Sequence, residues 1–222
     1  MSLAEEIDRL EELAAVIKRE AFIDETTGLG SALALRQEQR LTRAGESAFQ
    51  VVIFGDLNDF KHINDDYSHE AGDVALRAVG KAIRRIVIDG FGAKAFRQSG
   101  DEFVILLKQE SLTEFLSKAS RFRSIPFSHN RRKLRTGMSF GYAIADGRST
   151  FEDLLQRADT ACQLAKRPKA PRCIQWTADI EINPLVRISA WCRRCSAKIS
   201  CTLPKNAAPA ILTSCPCCCE LL

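Results

Sequence analysis

The sequence has no apolar run approaching the roughly 18 residues that a membrane span needs. Its opening stretch, LAEEIDRLEELAAVIKRE, is charged throughout and lacks the apolar core of a secretory leader. Charge of one sign is also scarce: a formal net charge of +4 over 222 residues does not by itself argue for a nucleic-acid partner. No internal repeat is present, which sets aside solenoids and propellers. Histidine occurs only three times; His62 and His129 read as surface positions, and His69 falls within a motif discussed below. These absences place the chain in the cytoplasm. There its nine cysteines should be reduced, and clustered ones are metal ligands rather than disulfides.

What is present is enough for one well-packed domain and a small appendage, since 45% of the residues are hydrophobic. Three segments differ in character. In residues 1–21, Leu3, Ile7, Leu10, Ala14, Ile17 and Ala21 recur at alternating spacings of four and three. That pattern suits a short parallel coiled coil that dimerises the chain, or equally a helix packed on its own domain. Residues 22–178 alternate strand-like and helix-like runs, and residues 179–222 are basic and rich in cysteine.

Two acidic clusters carry the chemistry of the middle segment. AFRQSGDEFVILL (95–107) reads as a β-hairpin whose turn holds Asp101 and Glu102 directly before a very apolar strand. QVVIFGDLNDFKHIND begins as a buried strand over Val51–Phe54 and leads through Asp56, Asn58 and Asp59 into a short helix bearing Lys61, Asn64 and Asp65. HEAGDVALRAVGKAIRRIV then continues as an amphipathic helix, with Val74, Leu76, Val79, Ile83 and Ile86 on its apolar face. If the strand ending at Asp56 pairs beside the hairpin, Asp56 and Asp101 meet at one sheet surface. Carboxylates held that close repel each other, and a divalent cation relieves the repulsion. Hard oxygen ligands select Mg²⁺ or Mn²⁺ rather than zinc. Lys61 and nearby helix N-terminal amides would suit a triphosphate. The plainer alternative is that both clusters are ordinary surface turns.

These stretches resemble the motifs of the GGDEF diguanylate cyclases. RQSGDEFVIL resembles the signature hairpin, with Ser99 at the first glycine. DETTGLG resembles the D-x-L-T-G-L start, and FGDLNDFKHINDDYSHEAGD the D-x-D-x-F-K-x-I-N-D-x-x-G-H-x-x-G-D stretch. TGMSFGYAIA is similar to T-x-S-I-G-x-A, and LLQRADTACQLAKR to the closing A-D-x-A-L-Y-x-A-K helix. The five motifs occur in order over about residues 22–176. The resemblance implies an α/β (α+β) fold, palm-like and nucleotide-cyclase-like, with a mostly antiparallel central sheet flanked by helices. It also implies a reaction in which two GTP condense to cyclic di-GMP with release of two pyrophosphates. Carried over, Asp56, Asp101 and the Leu57 carbonyl hold the metal, and Glu102 supports it or helps to activate the 3′-hydroxyl. Asn64 and Asp73 read the guanine edge; Lys61, the backbone amides around Asp59 and Phe60, and Lys166 hold the phosphates. One domain binds one GTP, so the active form is a homodimer, here expected to be weak and concentration-dependent.

Several positions depart from the family pattern. Ser99 adds a side chain at the nucleotide-facing turn, which implies reduced rather than lost activity. Ser68 replaces a glycine, Ser31 and Ala32 stand for Asn-Arg, and Ala170 falls where a phosphate-contacting arginine is usual, with Lys169 and Arg172 as substitutes. Asn58 for the second Asp of D-x-D is mild. Gly90 and Ala93 occupy the positions of the R-x-x-D product-inhibition motif, so feedback through that site should be absent. The departures leave a second reading open, a degenerate domain that binds GTP or cyclic di-GMP and signals through its tail.

In that tail, Cys192-x-x-Cys195 and Cys215-x-x-Cys218 form two knuckles of zinc-ribbon type, four thiolates around a structural Zn²⁺. Cys217 or Cys219 could replace Cys218, and Cys201 lies between the knuckles. A redox-labile thiol cluster is the alternative. Cys162 and Cys173 read as core residues. The ribbon is basic through Arg187, Arg193, Arg194, Lys198 and Lys205, and RFRSIPFSHNRRKLR adds a basic run in the middle segment. A protein partner, or docking on the catalytic domain, is the favoured use; nucleic acid is a third class that a steep salt dependence would mark.

Overall fold

The strand VVIFGDLN has no polar residue until its sixth position because both of its faces are covered. In the computed structural model, which describes residues 3–43, 48–167, 170–178, 185–191 and 198–204, this strand, β1 (Val51–Asn58), lies at the centre of the sheet and is buried from Val51 to Leu57. It continues two residues past Asp56, the end expected from the sequence, so Asp56 lies inside the strand.

With elements numbered in chain order, β1 pairs antiparallel with β3 (Glu102–Leu107) on one side and β5 (Arg132–Ile144) on the other. β2 (Lys94–Ser99) and β4 (Ile125–His129) complete the order β2-β3-β1-β5-β4, and the short β6 (Cys173–Gln175) adds parallel to β5. Alternate β1 side chains enter different cores. Val51, Ile53 and Leu57 pack with Leu76, Val79 and Ile83 of α4 (His69–Ile83). Val52 and Phe54 pack with Leu154, Ala158 and Cys162 of α7 (Phe151–Ala165), together with Leu35 of α2 (Ala32–Arg43). The expected mostly antiparallel sheet flanked by helices is therefore what the chain forms.

The helices begin where their caps allow. Thr150 and Asp153 form a reciprocal capping box at α7, and the Ser68 hydroxyl accepts from the Ala71 N–H at α4. Ser68 thus exchanges a family glycine for a helix cap. After α4 the chain continues through a π-helical turn, Arg84–Ile88, and α5 (Asp89–Phe91) into β2. α6 (Leu112–Lys118) and a 3₁₀ turn bring Phe115 and Phe122 edge-on to Phe140, at 5.6 and 5.2 Å between ring centroids. Cys162 is buried and Cys173 packs beside the first core, as expected; burial pushes both thiols up to about 12.

α1 (Leu3–Phe22) forms over the segment whose heptad spacing suggested a helix. Ile7, Leu10, Leu13, Val16 and Ile17 are exposed by 40–60% along it. Its C-terminal end is held by the Ser31 hydroxyl, which donates to the Ala21 carbonyl at 2.7 Å.

The chain divides into two compact units, Met1–Trp176 and Thr177–Leu222. In the second, β7 (Leu185–Trp191) and β8 (Lys198–Pro204) pair antiparallel from Leu185 opposite Pro204 to Trp191 opposite Lys198. The proposed zinc ligands Cys192, Cys195, Cys215 and Cys218, with Cys217 and Cys219, lie outside the described residues. Among the described residues, no helix is long and apolar enough to cross a membrane.

Candidate active site

Register decides what meets at the edge of the two cores. Asp56 stands opposite Glu102 on one side and Ser139 on the other. The Leu57 N–H donates to the Asp101 carbonyl at 3.1 Å, which ties the hairpin turn to β1. Gly100 takes φ +34° in that turn, a conformation that favours glycine. Ser99 has no such requirement, and its hydroxyl donates to Glu102 Oε2 at 2.5 Å. The serine that replaces a family glycine is therefore tolerated by the backbone and bonded to an acid of the signature.

Asp56 is only 4% exposed. Burial pushes its carboxyl up to about 6, although Lys166 pulls it down through a hydrogen bond and its charge; Asp101 and Glu102 push it further up. Lys166 Nζ, just beyond the end of α7, lies 2.5 Å from Asp56 Oδ2. The other oxygen, Oδ1, is buried with no hydrogen-bond partner. An ionisable group kept buried with one oxygen unmatched suits a cation ligand. Among the described residues, no three His, Cys, Asp or Glu side chains gather closely enough to cage a metal alone. Magnesium ordinarily takes one or two carboxylates and completes its shell with water and substrate phosphates, so the donor set fits it.

Lys61 and Asn64 lie on α3 (Phe60–Asp66) and Asp73 on α4. Asn64 is half-buried, whereas Lys61 and Asp73 are exposed. A Cβ at Gly72 would collide with Asn64 Oδ1, so glycine is what lets this amide lie against α4 beside Asp73. Phe60 packs against both the α4 core and a smaller cluster of Ile63, Ala71, Ala75 and Phe127. Asp59, at φ 57°, turns the chain from β1 into α3. Asp56, Asp101, Glu102, Leu57 and Lys166 thus come together, while Lys61, Asn64 and Asp73 belong to the adjoining α3–α4 pair.

Two links were not anticipated from the sequence. Arg97 Nε donates to the Gly100 carbonyl at 2.9 Å, and its Nη1 lies 3.2 Å from Asp24 Oδ2. Asp24 Oδ1 in turn accepts from the Thr27 N–H and hydroxyl at 2.8 and 2.7 Å. The DETTG loop therefore braces the hairpin turn through one arginine. The D-x-x-T spacing signals the local turn, but its long-range partner has no local signal. On the other side of β1, the Ser139 hydroxyl donates to Asn58 Oδ1 at 2.7 Å, and Arg172 Nη1 donates to Ser139 Oγ at 3.3 Å. Arg172, a suggested substitute at the Ala170 position, is thus one hydroxyl away from the end of β1.

A family model described as the diguanylate cyclase GGDEF domain matches residues 21–172. Diguanylate cyclase DosC of Escherichia coli K12 is 35% identical over 134 residues, covering 58% of this chain and 29% of that protein. Diguanylate cyclase VdcA of Vibrio cholerae is 30% identical over 170 residues, covering 72% and 49%. The chain thus spans less than half the length of these curated relatives. Among solved structures, the GGDEF domain of TpbB (YfiN) from Pseudomonas aeruginosa is 27% identical with a TM-score of 0.58, covering 71% of this chain and 95% of that one. The coiled coil and GGDEF domain of Caulobacter crescentus DgcB, solved with cyclic di-GMP, shares the fold at TM-score 0.67 and 22% identity, covering 78% and 94%. The family match covers well over half of the chain and contains the whole Asp56–Glu102 site: this protein belongs to the GGDEF-domain diguanylate cyclase family.

Proposed function

We propose that the protein is a diguanylate cyclase that condenses two GTP to cyclic di-GMP and two pyrophosphates across a homodimer. The observation that carries this reading is the buried Asp56, with its unpartnered Oδ1, held opposite Glu102 and bonded through Leu57 to Asp101. Asp56, Asp101 and the Leu57 carbonyl would hold Mg²⁺ or Mn²⁺. When bound, that cation activates the attacking 3′-oxygen and neutralises the leaving pyrophosphate. Glu102 would support the metal site or accept the 3′-hydroxyl proton at its carboxylate. Asp73 accepts from guanine N1 and N2, donors that adenine does not offer there, and Asn64 completes the edge. Lys61 and the backbone at Phe60 hold the phosphates. Lys166, which lies against Asp56 Oδ2, would also help to hold the phosphates.

Incubation with GTP or ATP and Mg²⁺, with chromatographic separation of products, tests the proposal. Cyclic di-GMP from GTP alone, lost in Asp101→Asn with the fold intact, supports it; wild-type turnover by Asp101→Asn contradicts it. The bond from Ser99 to Glu102 favours one other reading, a domain that binds GTP without turnover. For the tail, we propose a structural Zn²⁺ on Cys192, Cys195, Cys215 and Cys218 that forms a platform for a protein partner. Metal analysis should then return one zinc per chain.

A further inference from the structure

The basic run around Arg121–Arg123 is not simply a solvated face. Residues Arg121 to Ser128 form one wall of a groove of about 500 Å³, and α4 forms the other. The rim carries Arg77, Lys81 and Arg85, spaced by four along α4 and its continuation, and Arg121 across from them. All four are exposed, and among the described residues none is in an ion pair and no acid lines the groove. The floor is apolar, with Ile86, Ile125 and Phe127 beneath the half-buried Ala78 and Ala82. Four cations without counter-charges around an apolar floor match an acidic amphipathic helix, which offers both the opposite charge and an apolar face; a phosphate backbone would match the rim but leave the apolar floor unused.

This chain carries such a helix. Between Leu3 and Ala14, α1 has five acids, Glu5, Glu6, Asp8, Glu11 and Glu12, against the single base Arg9. Glu6 stands one turn before Leu10 and Glu11 one turn after Ile7, and those two apolar residues are 60% and 48% exposed. Within one copy, therefore, the helix is not seated in the groove. The rim from Arg77 to Arg85 spans about 12 Å, roughly two helical turns. We propose that α1 of one copy docks into the α4–β4 groove of a second copy, its Ile7–Leu13 side chains on the floor and its acids along the rim. This goes beyond the cyclase reading and needs no turnover.

Sedimentation equilibrium of the full chain without nucleotide tests it. Self-association should weaken about tenfold in Lys81→Glu/Arg85→Glu, and should weaken as salt is raised. Adding Glu6→Lys/Glu11→Lys to that variant should restore the wild-type affinity. Leu10→Glu should dissociate the pair through the floor contact. Self-association unchanged by the α4 reversal while Leu10→Glu abolishes it would mean that α1 pairs with α1 as a coiled coil, and would overturn the proposal. So would a wild-type chain that stays monomeric, or failure of the α1 reversal to rescue. Loss of nucleotide turnover with self-association intact would count against the cyclase reading alone.

Discussion

Asp56 illustrates how a single residue can work against the fold that holds it. A carboxyl that ionises near 3.8 when exposed is held at about 6 in the folded protein, chiefly by burial. The native state therefore binds its proton more tightly than the unfolded chain does. The contribution of Asp56 to metal-free stability should therefore be most favourable at low pH, fall as pH rises from about 4 through 6, and stay lower above. Asp56→Asn should remove that dependence and be more stable than wild type at pH 7.5 by on the order of 2 kcal/mol, with the difference closing near pH 4. Denaturant midpoints at the two pH values would check this, and the variant should make no cyclic di-GMP. Ser99 is the complementary case. Its hydroxyl occupies Glu102 Oε2, so Ser99→Gly should raise kcat by a few-fold with little change in KM, measured as initial rates. What was legible at this scale was the identity of the acids. The Lys166 contact on Asp56 and the Arg97 link to Asp24 join residues 110 and 73 positions apart, and no local pattern encodes either.

At the level of elements, α3 and α4 depend on a close approach. Gly72 admits Asn64 against the α4 backbone, and any Cβ there must push the amide aside. Gly72→Ala should therefore raise KM for GTP by about tenfold or more while kcat changes less, because the loss is in holding the base rather than in the chemistry. Steady-state kinetics on the soluble variant, with circular dichroism to confirm the fold, would separate the two effects. The hairpin, the central strand and α4 were readable because each has a period of its own: alternation, a continuous apolar run and a 3.6-residue stripe. Their limits were less so. The strand expected to end at Asp56 continues to Asn58, because pairing with β5 carries it two residues further. The heptad spacing in α1 shows which residues share a face but not what covers that face, and here it is exposed.

For the whole molecule, the proposed cyclase reaction would need two chains and would lack the usual product-feedback motif. The product-inhibition motif is replaced by Gly90 and a buried Ala93, so feedback by cyclic di-GMP through that site should be weak or absent; inhibition removed by mutation of residues 90–93 would contradict this. The architecture was legible because five separated motifs, from the DETTG loop to α7, occur in the family's order along the chain. The tail offered only ligand spacing: cysteines with two residues between them suggest a coordination chemistry without stating a fold, and the four lie outside the described residues. One measurement bears most directly on the account: cyclic di-GMP formation from GTP and Mg²⁺ over a range of concentrations of the zinc-loaded protein. The account expects product to rise more steeply than linearly with protein, as two half-sites must meet. GTP left intact at every concentration, with nucleotide still bound, would contradict the cyclase and leave a receptor in its place.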